Sequence, residues 1–303
     1  METLFLSPVL ILAIAMILGF FMAWGIGAND VANAMGTSVG SKALTLKQAV
    51  IIAAIFEFLG AFLAGGEVTS TIRKGIVDPE IYSNELNIFI IGMMASLLAA
   101  GTWLYIASNR GWPVSTTHSI VGAIIGFVLI TKGGDAVSWS KVGEIASSWI
   151  TSPLISGFLA FLIYISAKKL ILQAKDKIDA AIFYIPFYSF FVAGVIAQVI
   201  ARKGLSHIGF SWNDSEVWAF TVLIALSTAL VTSFVLRMRR ASIASKGDIE
   251  SAFGVLMIVT ACAMAFAHGS NDVANAIGPL AAIFSVVNSN DLSSTSAINP
   301  LIL

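Results

Sequence analysis

The sequence predicts an all-α integral membrane protein with about eight to nine membrane segments, with broken or re-entrant helices, arranged around an inverted repeat. Three observations lead there: the composition, a series of apolar segments, and a polar motif that occurs twice. Hydrophobic residues make up 57% of the 303 residues and charged residues 11%, and the mean hydropathy is +0.90. Soluble domains carry about a quarter charged residues, so the composition excludes a soluble globular protein.

Eight apolar segments are each long enough to cross a bilayer, which takes about 20 mostly apolar residues. They lie near residues 4–28, 46–66, 86–108, 112–131, 145–167, 181–201, 217–236 and 250–268. A ninth, shorter apolar stretch covers 273–287. The first segment does not have the pattern of a cleaved signal peptide, because no Lys or Arg precedes Lys42.

The basic residues predict the orientation, since cytoplasmic loops are enriched in Lys and Arg. Two connections separated by two segments carry many of them: Lys168, Lys169, Lys175, Lys177, Arg237, Arg239, Arg240 and Lys246. We assign both connections to the cytoplasm. Counting back places Lys42 and Lys47 inside and the N-terminus outside, in a multi-pass protein of the cell membrane, plasma or inner.

Several function classes are excluded at this point. The formal net charge is zero, whereas a nucleic-acid-binding protein needs a basic face. The single cysteine, Cys262, allows neither a disulfide framework nor a cysteine metal site. No metal-binding HExxH motif occurs, so we predict that the protein is not an enzyme and needs no cofactor.

The repeated motif reads GIGANDVANAMG at 25–36 and HGSNDVANAIG at 268–278. Eight of ten aligned positions are identical at an offset of 242 residues. By the segment count the copies end helices one and eight, which run in opposite directions. Inverted duplication is typical of secondary transporters, whose site lies at the repeat interface near the midplane. A re-entrant hairpin at 112–131 would change this parity.

The repeat also predicts a division of the chain into three parts. Residues 1–167 form the first repeat, and residues 168–249 hold the linking loops and two membrane helices. Residues 250–303 begin a second, incomplete repeat.

Each copy of the motif predicts a cation site. On a helix Asn29, Asp30 and Asn33 share one face, and the flanking glycines allow the helix to break and expose carbonyl oxygens. Carboxylate, amide and carbonyl oxygens are the ligands of hard cations. The predicted cation or metal (sodium) ligands are Asp30, Asn33, Asp272 and Asn275. The alternative is that these residues only cap helices at the membrane surface.

Glu57 joins this set because it lies in the middle of an apolar segment. A charged residue at mid-membrane costs about 2.5–3.5 kcal/mol, so Glu57, Asp30 and Asp272 together would cost on the order of 8–10 kcal/mol. No Lys or Arg in the neighbouring segments neutralises them, which leaves bound cations or protons. A protonated Glu57 in a helix–helix hydrogen bond is the alternative.

The stretch GWPVSTTHSIVGAIIG, residues 111–126, predicts an anion site at a helix start. Pro113 suits the first turn, and the hydroxyls and free N–H groups that follow point at a ligand together with the helix dipole. Ordinary helix capping is the alternative. The predicted anion ligands are Ser115, Thr116, Thr117, Thr37, Ser38, Asn29 and Asn271. His118 and His268 are candidates for donating a proton or a hydrogen bond, although His118 could equally be structural.

Taken together, GANDVANAMGTSVGS, FEFLGAFLAGG, VTSTIRKGI, GWPVSTTHSIVGA and AFAHGSNDVANAIGPLAA resemble the inorganic phosphate transporter (PiT) family of cation-coupled phosphate symporters. The resemblance runs from about residue 20 to the end of the chain. It implies an inverted-repeat transporter, usually a homodimer in membrane lipid, that uses sodium or protons to drive uptake of inorganic phosphate. It assigns Asp30, Asn33, Asp272 and Asn275 to cations, and the run Ser115–Thr117 to phosphate oxygens.

One departure from the family pattern concerns the end of the chain. Family members normally carry a second Ser-Thr-Thr helix start after the second NDVANA, whereas this sequence ends in NPLIL. We therefore expect a C-terminally truncated form of a transporter of about a dozen helices, with half of the phosphate site missing.

Energetics favours coupled transport over free diffusion. Moving one negative charge inward costs about 2.3 kcal/mol per 100 mV of inside-negative potential, and co-transported cations offset that cost. Secondary active phosphate uptake by symport with sodium or protons is therefore the predicted function. Sulfate, another tetrahedral oxyanion, is the alternative substrate, and a passive anion channel is the alternative mechanism.

Overall fold

The computed structural model describes residues 4–64, 76–204, 212–246 and 249–289. Within them the elements are helical, and the extended pairing is one isolated bridge between Val77 and Val137. The all-α prediction is confirmed. Most of VTSTIRKGI and the terminal NPLIL lie outside the described residues. The helices are α1 Pro8–Gly40, α2 Leu46–Ala64, α3 Leu86–Asn109, α4 Thr116–Thr131, α5 Trp139–Ala167, α6 Lys177–Val199, α7 Asp214–Lys246 and α8 Glu250–Ser289.

Short helical turns extend or connect these helices. Two are 3₁₀ turns, Pro79–Tyr82 before α3 and Gly134–Ala136 after α4. Two are π-helical turns, Lys168–Leu172 at the end of α5 and Ile200–Gly204 at the end of α6. Of the described helices, seven are long and apolar enough to cross a membrane, and α4 is shorter.

The two repeat copies do not interrupt their helices, contrary to the predicted break. α1 continues through Asp30 to Gly40, and α8 joins the eighth and ninth apolar stretches into one helix. A glycine permits a break without forcing one, and in lipid a continuous helix satisfies its own backbone groups. Gly25 instead allows close packing, because a Cβ there would lie 3.1 Å from the Leu104 Cβ of α3.

The chain divides into two compact units. The first unit contains Met1–Asn33, Leu59–Gly143 and His268–Leu303, and the second contains Ala34–Phe58 and Glu144–Ala267. α1 and α8 therefore each pass from one unit to the other at a copy of the repeated motif.

In the first unit, α1, α3 and α4 pack through glycines. A Cβ on Gly101 would lie 2.7 Å from Phe21 Cδ1 of α1, and Gly92 lies directly beneath the ring of Phe127 on α4. Small residues let membrane helices approach closely. Of the long described helices, α3 is consequently the one most covered by its neighbours, with 56% of its most apolar 18-residue stretch buried.

The buried Tyr82, just before α3, makes polar and aromatic contacts with the end of α4. Its hydroxyl lies 2.6 Å from Thr131 Oγ1, and its ring stacks on Phe127 at 5.4 Å. Lys132 Nζ lies 5.0 Å from the ring centroid and 2.8 Å from Glu85 Oε2. Burial raises the pKa of Tyr82, although the bond to Thr131 and the charge of Lys132 work the other way, so the phenol is neutral.

Within the first unit, α1 and α8 run antiparallel. A Cβ on Gly19 would lie 3.2 Å from Leu280 Cδ2, whereas Asp30 Oδ2 lies 3.7 Å from His268 Nε2. Moving forward along α1 thus means moving backward along α8. Opposite directions are what the inverted repeat predicted for these two helices.

In the second unit, α6 and α7 form the largest helix pair, around a core of Ile171, Ala181, Ile185, Leu236, Ile243 and Ala252. The ends of α1, α5 and α7 and the start of α8 line one cavity, whose walls include Lys42, Leu172, Arg239 and Glu250. The connections that carry Lys42, Lys168–Lys177 and Arg237–Lys246 therefore lie at one end of this unit, and their assignment to the cytoplasm stays a prediction.

α4 has 16 residues and is therefore about 24 Å long, which is shorter than the apolar thickness of about 30 Å. The predicted full membrane span at 112–131 stays a prediction.

Candidate functional site

Asp30 and Asp272 meet in the first unit on either side of His268. The imidazole Nε2 of His268 lies 2.8 Å from Asp272 Oδ2 and 3.7 Å from Asp30 Oδ2. One ligand atom from each of the three residues lies within 4.8 Å of the other two. The side chains are mostly buried, with exposed fractions of 12% for Asp30, 13% for His268 and 16% for Asp272. The two carboxylates from the two repeat copies therefore form one cluster.

His268 is a partner that the sequence indicated only as a candidate for donating a proton or a hydrogen bond. Lys or Arg would be the groups expected from the sequence to neutralise the carboxylates. His268 can take this role because it is four residues from Asp272 on α8, so the two side chains share a face. A protonated imidazole between two carboxylates offsets their repulsion, and a neutral one is a hydrogen-bond partner or a nitrogen ligand. The H-x-x-x-D spacing at 268–272 was the signal available in the sequence.

The cluster suits a small cation. It offers carboxylate oxygens from two helices inside a mostly buried site, where an unneutralised pair of negative charges is costly. Oxygen ligands are typical of hard cations, and an imidazole nitrogen broadens the choice toward transition metals.

Asn29 makes its hydrogen bonds to protein groups. Its Nδ2 donates to Ser108 Oγ at 3.2 Å and to the carbonyl oxygen of Trp112 at 3.0 Å. Its Oδ1 accepts from the backbone N–H of Val114 at 3.1 Å. The residue is 7% exposed. These three bonds use both N–H donors of the amide and one lone pair of its oxygen. The first copy of the motif thereby holds the chain between α3 and α4.

That connection is short because α3 ends in a Schellman motif. Gly111 has φ +67°, Trp112 N–H bonds the Ala107 carbonyl at 2.9 Å, and Gly111 N–H bonds the Ser108 carbonyl at 3.1 Å. This is the left-handed C-terminal position at which glycine is favoured. The geometry places Val114 and the start of α4 directly beside Asn29.

α4 begins at Thr116 with Ser115 as its N-cap. Ser115 has extended φ and ψ, and its hydroxyl accepts from His118 N–H at 3.2 Å. The predicted helix start is therefore present, but Pro113 lies before the cap rather than in the first turn. The first-turn N–H groups have no helical carbonyl to bond, and the Ser115 hydroxyl accepts from one of them. A proline side chain has no acceptor and cannot do this. The backbone N–H groups of this first turn are consistent with the predicted anion site.

Asn275 of the second motif copy contacts the same helix start. Its Nδ2 donates to Thr116 Oγ1 and to Thr117 Oγ1, both at 3.1 Å, and lies 3.5 Å from Asp272 Oδ1. Asn275 is 1% and Thr116 2% exposed. A hydroxyl that accepts one hydrogen bond retains its own proton for donation. Asn275 thus joins the acid cluster to the hydroxyls of α4.

The two motif copies use their asparagines differently. In the first copy Asn29 is buried and Asn33 is exposed, and in the second copy Asn275 is buried and Asn271 is exposed. Asn271 donates to the neighbouring Asp272 Oδ1 at 3.1 Å. Equivalent positions in the repeat therefore have different partners.

Four other predicted site residues do not join the cluster. Thr37, Ser38 and Glu57 belong to the second unit. Ser38 is buried, and its carbonyl accepts from the Ser41 hydroxyl at the end of α1. Glu57 is half-buried on α2, and His118 is exposed on α4. The predicted roles of these four residues stay predictions.

Comparison with known proteins identifies the family to which this geometry belongs. The profile of the "Phosphate transporter family" matches residues 26–303. The chain belongs to this family. The resemblance found from the sequence motifs is thereby confirmed, and the protein is a member of a transporter family rather than an enzyme. The match and the seven long apolar helices of the described residues together identify a multi-pass membrane protein.

Relatives within the family are similar over most of the chain. A "Putative phosphate permease" of Haemophilus influenzae is 49% identical over 91% of this chain and 66% of its own length. The "Inorganic phosphate transporter 2-1, chloroplastic" of Arabidopsis thaliana is 40% identical over 90% of this chain and 50% of its own. The chain thus spans about two-thirds and about half of these two relatives.

A solved structure, "The sodium-dependent phosphate transporter", has the same fold. It is 37% identical in sequence to this chain, with a TM-score of 0.86. The similarity covers 96% of this chain and 72% of that one. The helical architecture described above is therefore that of a family transporter.

Proposed function

We propose that the protein takes up inorganic phosphate by symport with a cation, with sodium as the first choice and protons as the alternative. The observation that carries the proposal is the contact of Asn275 with both Asp272 and the Thr116 and Thr117 hydroxyls. It links a cluster suited to a cation with a helix start suited to an anion. Similarity to a solved sodium-dependent phosphate transporter supports the choice of sodium.

On the cation side, Asp30 and Asp272 supply the charge. Asn33 and Asn275 contribute amide oxygens, since the Asn275 nitrogen is already used toward α4. Glu57 serves as a further acidic residue on the ion's route. His268 lies between the two carboxylates and positions them for the ion.

On the phosphate side, Ser115, Thr116 and Thr117 donate hydroxyl and N–H hydrogen bonds to phosphate oxygens, aided by the dipole of α4. Thr37, Ser38 and Asn271 remain proposed additional donors. For Asn29 we prefer a positioning role to the predicted direct contact, because its amide is engaged with Ser108, Trp112 and Val114.

Coupling follows from the charges in this arrangement. A phosphate anion at the start of α4 is repelled by the nearby carboxylates until a cation neutralises them. Phosphate affinity therefore rises when the cation binds, and by reciprocity cation affinity rises when phosphate binds. Transport of both together also offsets the cost of moving a negative charge inward.

The remaining sequence predictions belong to the same proposal. The protein functions as a homodimer in the cell membrane with its N-terminus outside. Residues 1–167, 168–249 and 250–303 correspond to first repeat, linking part and beginning of the second repeat.

The test is radiolabelled phosphate uptake into proteoliposomes with imposed sodium or pH gradients and sulfate as competitor. Asp30→Asn and Asp272→Asn are each expected to abolish cation-driven uptake, with exposed Asp135→Asn as the matched control. Uptake that ignores both gradients would identify a passive anion channel. Sulfate uptake at an equal rate would assign the alternative substrate, and full uptake by both Asp variants would remove them from coupling.

A further inference from the structure

A cavity of about 900 Å³ lies within the second unit. It is lined where α1, α5 and α7 end and where α8 begins. Its volume falls in the range of pockets that hold small organic molecules, about 300–1,000 Å³. None of the residues proposed for phosphate or cation binding lines it.

The lining has a polar and an apolar part. Lys42 and Arg239 contribute positive charge, Ser41 and Ser242 contribute hydroxyls, and all four lie at helix ends. The apolar part is further along α8, where Phe253, Met257 and Ile258 line the cavity. Ile258 is eight residues past the start of α8, which is about 12 Å into the helix. The cavity therefore changes from basic to apolar along the direction of the helices.

The two cations of the cavity differ from the neighbouring Arg240, which pairs with Asp179 at 2.8 Å. Among the described residues, no ion pair involves Lys42 or Arg239. Glu250 is the one acid among the described lining residues, so the charge of the lining is positive.

Lys42 occupies its place at a conformational cost. It has φ +60°, and it is the one non-glycine among the described residues with a positive φ. Its N–H bonds the Val39 carbonyl at 3.0 Å, so it forms part of the C-terminal cap of α1. Glycine is the favoured residue in this conformation. A lysine here keeps a cation on the cavity wall at a position where a glycine would be less strained.

We propose that this cavity binds an anionic phospholipid, with the headgroup phosphate between Lys42 and Arg239 and an acyl chain along the apolar part. Two cations and nearby hydroxyls match a phosphodiester, as in basic pockets between membrane helices. A free phosphate ion has no use for the apolar part. Tyr164 of α5, which also lines the cavity, is 57% exposed and continues the apolar surface outward. The inference is independent of the proposed transport function.

Thermal unfolding of the full chain in detergent tests the proposal, with phosphatidylglycerol, phosphatidylcholine or inorganic phosphate added. Phosphatidylglycerol at tenfold excess over its Kd is expected to raise the unfolding midpoint by about 3 °C. The double variant K42Q/R239Q should lose most of this rise. The matched control K47Q/R237Q removes two exposed cations that do not line the cavity, and it should keep the rise.

Lys42→Gly separates lipid binding from fold stability. Glycine relieves the positive φ, so the midpoint without lipid should increase while the rise caused by phosphatidylglycerol decreases. An equal rise with phosphatidylcholine, or an equal loss in the control variant, would overturn the proposal. An equal rise with inorganic phosphate would also overturn it and assign a free-anion site instead. Phosphate uptake is measured separately, so failure of either proposal leaves the other standing.

Discussion

The side chain of Asn29 accepts a 3.1 Å hydrogen bond from the backbone N–H of Val114, 85 residues along the chain. This bond ties the first motif copy to the segment just before α4. The same side chain also donates to the Trp112 carbonyl, so two backbone groups of the connection are held by one residue. The adjacent Asp30 lies in the acid cluster. The start of α4 and one carboxylate of the cluster are therefore positioned by neighbouring residues of one helix.

Removing Asn29 should displace the start of α4. Asn29→Ala leaves the Val114 N–H and Trp112 carbonyl without their partner, a loss of about 1–3 kcal/mol for a buried site. We expect the KM for phosphate to rise about tenfold, with a smaller change in maximal uptake rate. Asn29→Asp, which retains an acceptor for Val114, should restore part of the affinity.

The control for this change is Asn109→Ala, since the Asn109 side chain bonds the Tyr105 carbonyl on an exposed face. Its KM should match that of the unmodified chain. An unchanged KM in Asn29→Ala would show that Asn29 does not position α4.

Asn275 is expected to affect both ligands at once. Asn275→Ala removes the bonds to Thr116 and Thr117 and the contact with Asp272. The KM for phosphate should rise, and its dependence on sodium concentration should become weaker, because the link between the two sites is lost. Phosphate uptake at a series of sodium concentrations measures this dependence. Loss of phosphate affinity with the sodium dependence intact would restrict Asn275 to the phosphate side.

A methyl group at Gly101 should destabilise the first unit. Its Cβ would lie 2.7 Å from Phe21 Cδ1, and overpacking of this kind costs about 1–3 kcal/mol. The thermal unfolding midpoint of Gly101→Ala should fall, and the added change Phe21→Leu should recover part of the loss. Gly157→Ala is the control, because no atom lies within 4 Å of a Cβ there. A midpoint unchanged by Gly101→Ala would contradict the close packing of α1 and α3.

Tyr82 should make stability decrease at high pH. Its pKa is raised by burial in the folded protein above the ordinary value of about 10. The folded state then binds the phenolic proton more tightly than the unfolded state, so this stability is present below about pH 10 and is lost as pH rises further. Tyr82→Phe should lower the midpoint near neutral pH, through loss of the bond to Thr131, and flatten its decline above pH 10.

Exposed Tyr105 provides the comparison for this titration. Tyr105→Phe should keep the decline above pH 10 at its original steepness. An equally steep decline in Tyr82→Phe would show that another group causes it.

The sequence predicted the parts of the fold that depend on composition and repetition. Apolar segments located the long helices, and the duplicated motif placed Asp30 and Asp272 in antiparallel helices that meet. The membrane environment supports both inferences, because two carboxylates buried in the lipid layer need a cation, a proton or a partner that offsets their charge.

Other features depend on tertiary contacts that no local pattern reveals. Glycines near the motif suggested a broken helix, but the helix is continuous, and the space left by Gly25 is used by Leu104 of α3. His268 was considered only as a donor of a proton or a hydrogen bond, because its position between two carboxylates depends on the packing of both helices. Asn29 and Asn275 carry the same amide group and differ only in their partners. Asn29 bonds backbone groups before α4, whereas Asn275 bonds side-chain hydroxyls of α4.

The alternate use of asparagines has a consequence for mutational scanning of this protein. Duplicated sequences invite the assumption that a residue and its copy will report the same phenotype. Here Asn29 has its duplicate in Asn271, yet one is enclosed and the other faces outward. Substitution profiles averaged over the two halves would therefore blend unlike positions, and each half must be read on its own.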